Sequence, residues 1–216
     1  MNKNKFWFIT LLYVIMLGFA SCAEDTPTED PHANWPERNE QYLDSIVSVA
    51  RNHPAGENWE IYKNYKIDSS NPNPGMASPD ILNKYDSVYV KVLMKGDGTI
   101  PMSTDTVEVA YQGFLINGER FDGTYFGKFN PEVNDNFKRW EASGLIVGWT
   151  TALLHMNAGS FVEVYVPYKI AYREEGKGPI PGFSTLKFEL FLNDVIHPKG
   201  PDDRSRKMKK NVADIN

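Results

Sequence analysis

Five short motifs between Tyr111 and Phe188 contain the residues of this chain whose types and spacing could do chemistry. They combine aromatic side chains with the carboxylate of Asp122 and with the glycines and prolines of tight turns. Such a set predicts an aromatic pocket, which can act on a substrate without a nucleophile, a metal or a cofactor. The motifs are Tyr111-Gln-Gly113, Gly118-Glu-Arg-Phe121-Asp122, Leu145-Ile-Val-Gly-Trp149, Ala171-Tyr172 and Gly178-Pro-Ile-Pro-Gly182, which leads into Ser184-Thr-Leu-Lys-Phe188.

In this order and spacing the motifs resemble the FKBP-type peptidyl-prolyl cis-trans isomerases, over roughly Ser87 to Ile196. Each motif alone is a weak signal, and only the combination is specific. The resemblance implies an α+β fold in which an antiparallel sheet wraps around a short helix. It also implies an enzyme that accelerates rotation about X-Pro bonds, where the barrier is about 18–20 kcal/mol. An apolar pocket can favour the twisted amide over both planar isomers, so no cofactor is expected.

The resemblance also implies which residues form the site. The expected catalytic residues are Asp122, Tyr172, Ile146 and Trp149. The expected substrate-binding residues are Tyr111, Phe121, Phe137, Leu145, Ile180 and Phe188. Phe137 is included as the counterpart of an additional aromatic residue near the pocket, and Ile180 as a residue that overhangs it.

Four of these residues have distinct expected roles. Trp149 would be the floor on which the prolyl ring stacks, although a tryptophan considered alone is more often a core residue. Asp122 would face the twisted amide and act by electrostatics and hydrogen bonding. The main-chain N–H of Ile146 and the hydroxyl of Tyr172 would each bind a substrate carbonyl.

The composition fits a folded protein and excludes several other classes of function. Of the 216 residues, 41% are hydrophobic and 13% aromatic, enough for a packed core. The formal net charge is −5, and loss of a leader containing Lys3 and Lys5 would change it to −7. We therefore expect no nucleic-acid partner. No metal site is expected either, because the four histidines lack metal-ligand spacing.

The start of the chain predicts export and lipid anchoring. Residues 1–21 have the basic start, the apolar run and the small residues of a signal peptide, and the run is too short to span a bilayer. Cys22, the only cysteine, follows a sequence that resembles a bacterial lipobox. We therefore expect lipidation at Cys22 and a place in the cell envelope, at the outer membrane on its periplasmic or surface side. An ordinary signal peptide with a chance cysteine is the alternative.

The rest of the chain divides into four parts by composition. Residues 22–35 form an acidic linker, and 36–86 an extension with a helix at Pro36–Ala50. Within the extension, residues 58–67 could be an extra strand or a packed loop. The isomerase domain at 87–196 would contain one short helix and several strands, and 197–216 would be a polar, disordered tail. The predicted elements of the domain are strands Ser87–Met94, Thr106–Ile116, Phe161–Pro167 and Thr185–Val195, and helix Gly148–Met156.

Two departures from the family pattern leave a second function open. The segment Asp122–Asn136 is longer than in minimal members, and Arg173-Glu-Glu175 adds charge beside the pocket. The alternative is a weakly active or inactive binding module, or a chaperone lipoprotein, that uses the N-terminal helix and this insertion as contact surfaces. A third interpretation is a surface lipoprotein whose extension matters more than its pocket. The expected partners are proline-containing polypeptides, the membrane through the lipid, and macrolide inhibitors of the family.

Overall fold

The structure is a computed structural model that describes residues 30–68 and 83–198. The predictions for the signal peptide, for Cys22 and for most of the polar tail lie outside these ranges. The helices and strands of the described residues belong to the compact unit that begins at Asn34. Within the two described ranges, no helix has both the length and the apolar composition needed to cross a membrane.

The fold is α+β, as predicted, with seven antiparallel strands and short helices. The strand order is β1-β2-β6-β7-β3-β4. Strand β4 pairs with the end of β3, and β5 pairs with its beginning. The strands are β1 Asn58–Lys63, β2 Ser87–Met94, β3 Thr106–Phe114, β4 Arg120–Gly123, β5 Lys138–Glu141, β6 Phe161–Val166 and β7 Leu186–Ile196. The α-helices are α1 Trp35–Asn52, α2 Tyr65–Asp68 and α3 Val147–Leu153. The 3-10 turns are Lys84–Asp86, Ala142–Gly144 and Tyr168–Ile170.

The central strands β3 and β7 give the sheet two different faces. Tyr111 lies opposite Leu190 in their register, and Ala110 lies opposite Phe191. Because side chains alternate along a strand, these two pairs point to opposite sides. We call the side of Tyr111 the inner face and the side of Ala110 the outer face. Helix α3 packs on the inner face, where Leu153 is completely buried.

Helix α1 covers one part of the outer face. Leu43 and Val47 of this helix pack against Trp59, Tyr89 and Tyr165, which come from three adjacent strands. The helix carries a proline in its first turn and ends at His53, which has a left-handed backbone conformation. The apolar side of this helix therefore packs on the strands that follow it.

The segment between β4 and β5 covers a second part of the outer face. Tyr125 and Phe129 are buried there against Ala110 and Phe191. The ring centroids of Phe129 and Phe191 are 4.7 Å apart. The insertion after Asp122 thus supplies a second aromatic cluster to the fold.

Several elements differ from the predictions in their bounds. The ambiguous segment after Asn58 is a strand that pairs with β2. Strand β2 has the predicted bounds, whereas helix α3 is shorter than the predicted Gly148–Met156. The short strands β4 and β5 were not predicted, because four residues are too few to show an alternating pattern.

Replacement of Leu43 by alanine tests the packing of α1 on the sheet. Leu43 is fully buried, so we expect Leu43→Ala to lower the free energy of unfolding by about 2–5 kcal/mol. Urea unfolding of the full chain, followed by tryptophan fluorescence, measures this loss. The control is Gln41→Ala on the exposed side of the same helix, which should change the free energy by less than about 0.5 kcal/mol. Equal effects of the two substitutions would contradict the packing.

Stability should fall at alkaline pH because tyrosines are buried between α1 and the sheet. Burial raises the pKa of Tyr42 and of Tyr89 to about 12, against about 10 in an unfolded chain. Both phenols are protonated in either state below pH 10, so their contribution is complete there. Between pH 10 and 12 the unfolded chain loses these protons first, and stability declines. Urea midpoints measured from pH 8 to 11 should therefore decline less steeply in Tyr42→Phe than in the wild type.

Candidate functional site

Trp149 lies at the bottom of a cleft on the inner face. It is the third residue of α3, and only 4% of its surface is exposed. The preceding residue, Gly148, lets the helix approach strand β6, because a Cβ atom there would lie 2.2 Å from Cγ1 of Val166. The indole nitrogen of Trp149 is buried and has no hydrogen-bond partner among the described residues. Ring contacts therefore hold this side chain in place.

Three aromatic rings stand nearly perpendicular to the Trp149 ring. The centroid of Tyr111 is 5.0 Å away with an interplanar angle of 88°, and that of Phe188 is 5.1 Å away at 86°. Trp140 is 6.1 Å away at 71°. Edge-to-face contacts of this kind are favourable for aromatic pairs. The result is a cup with Trp149 as its floor and the other rings as its walls.

The register of β3 and β7 places two of these walls side by side. Gly113 lies opposite Phe188, two residues along the strand from Tyr111. The absence of a side chain at Gly113 makes room for the rings, because a Cβ atom would lie 2.5 Å from Cζ of Phe121. It would also lie 2.9 Å from Cε1 of Phe188. The glycine of the first motif is therefore explained by the packing of the pocket walls.

The structure brings eight of the ten predicted site residues together around one cleft. The volume of the cleft is about 140 Å³. The lining residues are Tyr111, Phe121, Asp122, Trp140, Leu145, Ile146, Trp149, Tyr172 and Phe188. A second cleft of about 260 Å³ lies between the start of α1 and Tyr168, Phe183 and Thr185, and contains none of the predicted site residues.

Phe137 is not at the pocket, and Trp140 is there instead. In strand β5, Trp140 lies opposite Val107 on the inner face, while Arg139 lies opposite Glu108 on the outer face. Residues 137 and 140 differ by an odd number, so strand alternation sends them to opposite sides. Phe137 accordingly packs toward Phe191 on the outer face, with ring centroids 6.4 Å apart. Only the pairing of β5 with β3 identifies Trp140, because four residues do not reveal which face is buried.

Ile180 is also absent from the lining of the cleft. It is 6% exposed and belongs to the hydrophobic core that includes Trp149. A bridge with Lys177 holds it, with main-chain hydrogen bonds in both directions. In this structure Ile180 supports the loop after Tyr172, and its expected place over a bound substrate stays a prediction.

The carboxylate of Asp122 is fixed at the rim of the cleft by two hydrogen bonds. The hydroxyl of Tyr111 donates to Oδ2 over 2.7 Å, and the main-chain N–H of Gly123 donates to Oδ1 over 2.8 Å. Burial raises the pKa of Tyr111 above its usual range, and the adjacent carboxylate raises it further. The phenol therefore stays protonated at neutral pH and keeps donating to Asp122.

Two further polar groups at the cleft remain available to a ligand. Neither the hydroxyl of Tyr172 nor the main-chain N–H of Ile146 donates a hydrogen bond within residues 30–68 and 83–198. Burial, followed by the charge of Asp122, raises the pKa of Tyr172. The phenol is thus a neutral donor at physiological pH. The cleft combines aromatic walls with two free donors and one fixed carboxylate, which suits a neutral, partly apolar peptide group.

The described residues contain no cluster of side chains that could bind a metal ion. No group of three His, Cys, Asp or Glu side chains there is arranged to hold a metal ion. The carboxylate of Asp122 instead accepts hydrogen bonds from its neighbours.

Comparisons with known proteins show what part of the chain resembles. Residues 98–193 match the family described as FKBP-type peptidyl-prolyl cis-trans isomerase. The FKBP-type 22 kDa peptidyl-prolyl cis-trans isomerase of Escherichia coli K12 is 39% identical over 107 residues, which are 49% of this chain and 48% of that protein. The outer membrane protein MIP of Legionella longbeachae is 38% identical over 121 residues, which are 55% and 48% of the two chains.

A crystal structure of a peptidyl-prolyl cis-trans isomerase from Pseudomonas syringae pv. tomato DC3000 aligns with a TM-score of 0.47 and 23% identity. The alignment covers 74% of this chain and 96% of that one. The chain spans about half the length of the two curated relatives named above. Residues 98–193 are therefore similar to the FKBP-type peptidyl-prolyl cis-trans isomerase family.

Proposed function

We propose that this chain is a peptidyl-prolyl cis-trans isomerase that acts on X-Pro bonds in the Trp149 cleft. The observation that supports this best is the cup itself, in which three rings stand almost perpendicular to a buried indole. A prolyl ring is small and apolar, so it fits on such a floor between such walls. The family match over residues 98–193 supports the same activity.

The proposed mechanism requires no covalent step. The barrier to X-Pro rotation arises because the twisted amide loses its resonance. The aromatic walls give the amide an environment of low polarity. The planar amide has more charge separation across its C–N bond than the twisted amide. Transfer from water into this environment therefore destabilises the planar amide more than the twisted amide. Asp122 would act on the twisted amide as a fixed charge, since both of its oxygens already accept hydrogen bonds. Contacts that are strongest in the twisted geometry raise the turnover rate.

The two free donors would hold the polypeptide on either side of the proline. The N–H of Ile146 lies where the chain enters helix α3, and Tyr172 is a second residue of the cleft lining. Each would donate to a substrate carbonyl in both the planar and the twisted states. We therefore assign to them mainly the binding of the substrate, and to Asp122 and Trp149 the preference for the twisted amide.

The proposed substrates are exported polypeptides, and the proposed place is the cell envelope. The predicted leader and Cys22 support lipid anchoring, and one relative carries the name outer membrane protein MIP. Uncatalysed X-Pro isomerisation takes tens to hundreds of seconds, which is slow enough to limit refolding after export.

The second interpretation, a binding module without strong activity, finds less support in the structure. It requires α1 and the insertion after Asp122 as contact surfaces. Leu43 of the helix and Phe129 of the insertion are instead buried against the sheet. Protection of an unfolded client from aggregation by an Asp122→Ala and Tyr172→Phe double variant that lacks isomerase activity would restore this interpretation.

A protease-free peptide assay tests the proposed activity. The full chain should accelerate cis-to-trans conversion of a proline-containing tetrapeptide, and a macrolide inhibitor of the family should suppress that acceleration. Asp122→Ala should lower kcat/KM roughly 10- to 100-fold, because a charged group is lost. Tyr172→Phe should lower it about two- to tenfold, through the loss of one hydrogen bond.

The matched controls replace residues of the same types outside the cleft. Asp97→Ala and Tyr65→Phe should leave kcat/KM unchanged, since neither residue lines the pocket. A folded wild-type chain that produced no acceleration would overturn the proposed function. Equal losses in the site variants and the controls would remove the assignment to this cleft.

A further inference from the structure

Helix α1 is joined to the loop beside the pocket by two buried hydrogen bonds. The indole Nε1 of Trp35 donates to Oγ of Ser184 over 2.9 Å. The main-chain N–H of Thr185 donates to Oδ1 of Asn39 over 2.7 Å. These partners are separated by 149 and 146 residues along the chain. The contacts therefore connect the N-terminal extension directly with the family domain.

These polar groups are buried and mutually satisfied. Asn39 is 2% exposed, Trp35 4% and Ser184 3%. The amide nitrogen of Asn39 also donates to the main-chain oxygen of Trp35 over 2.8 Å. A buried donor or acceptor that loses its partner is costly, so these contacts fix one position of the helix relative to the loop. Apolar packing alone is less directional.

The same serine continues the connection into the loop that carries Tyr172. Its hydroxyl donates to the main-chain oxygen of Pro181 over 2.6 Å. The N–H of Phe183 donates to the oxygen of Arg173, next to Tyr172, over 3.0 Å. A Cβ atom on Gly182 would lie 2.0 Å from the oxygen of Glu174, so the two arms of the loop are in direct contact. These contacts link Ser184 to the arm that begins at Tyr172.

The other end of the connection leads to a wall of the pocket. Thr185 precedes strand β7, in which Phe188 stands against Trp149. Helix α1 therefore attaches to the chain between two residues of the cleft lining, Tyr172 and Phe188. Neither Trp35 nor Asn39 lines that cleft.

From these contacts we propose that Trp35 and Asn39 are positioning residues of the isomerase. They act through Ser184 and Thr185 to hold the Tyr172 loop and the start of β7 at the distance that a prolyl peptide requires. This inference rests on the proposed function, and it gives the extension a part in substrate binding. Since Tyr172 is assigned mainly to binding, a loosened loop should raise KM and leave kcat nearly unchanged.

A double-mutant cycle on the Trp35–Ser184 hydrogen bond tests the inference in the full chain. Trp35→Phe removes the indole N–H and Ser184→Ala removes its acceptor, while most of the packing volume is kept. Each variant should raise KM about two- to tenfold, with kcat within about twofold of the wild type. The double variant should be scarcely worse than Ser184→Ala alone, because both substitutions remove the same bond.

The control is Val47→Ala, which weakens the same helix at a residue that packs on Trp59 and Tyr165. It should lower the urea midpoint, but it should leave KM unchanged at a temperature where the protein is folded. A rise in KM for Val47→Ala equal to that of Ser184→Ala would overturn the positioning role. So would single variants that are less stable but have wild-type KM, or losses that simply add in the double variant.

Hydrogen exchange of the backbone amides in residues 172–183 provides a readout that does not depend on catalysis. Exchange in this loop should be faster in Ser184→Ala than in the wild type, and unchanged in Val47→Ala. If the wild type shows no isomerase activity, the proposed function fails, and the affinity for a proline-containing peptide replaces KM in the same cycle. Unchanged loop exchange and unchanged affinity in Ser184→Ala would then overturn the positioning role as well.

Discussion

The antiparallel pair β3 and β7 has apolar side chains on both of its faces, and both faces must be kept from water. The inner face carries Val109, Leu190 and Leu192, and the outer face carries Ala110 and Phe191. Helix α3 covers the inner face with only seven residues, a length of about 10 Å. Strand β7 has eleven residues and extends for about 35 Å. A helix this short leaves rings near its first turn uncovered, and those rings form the cup around Trp149.

The outer face is covered by two elements, helix α1 and the segment after β4. Helix α1 buries Leu43 there, and the insertion after β4 buries Phe129. Burial of these apolar side chains stabilises the sheet on the face opposite to the pocket. Through Trp35 and Asn39, helix α1 also contacts the pocket loop, so the same element that covers the sheet can restrain the site.

Much of the fold and the site could be predicted from the sequence, because the responsible signals are local. Strand β2 carries Val88, Val90, Val92 and Met94 on one face, and its bounds were predicted correctly. The motif ending in Trp149 identified the helix under the pocket. By contrast, Trp140 lines the pocket where Phe137 was predicted, and this depends on the register of β5 against β3. The contact between Trp35 and Ser184 depends on a separation of 149 residues, for which the sequence contains no local pattern.

The central claim is that an X-Pro bond is bound and twisted in the Trp149 cup, and exchange NMR tests it most directly. The full chain is mixed with excess proline-containing tetrapeptide, and exchange cross-peaks between the cis and trans prolyl signals are recorded. The account predicts that these cross-peaks grow with protein concentration, while the Trp149 indole and Ile146 amide signals shift saturably. The Trp149 signal is assigned by its loss in Trp149→Phe. Either of two results would contradict the claim. One is a folded protein that does not enhance the exchange. The other is a set of peptide-induced shifts confined to the second cleft, the one lined by Tyr168 and Phe183.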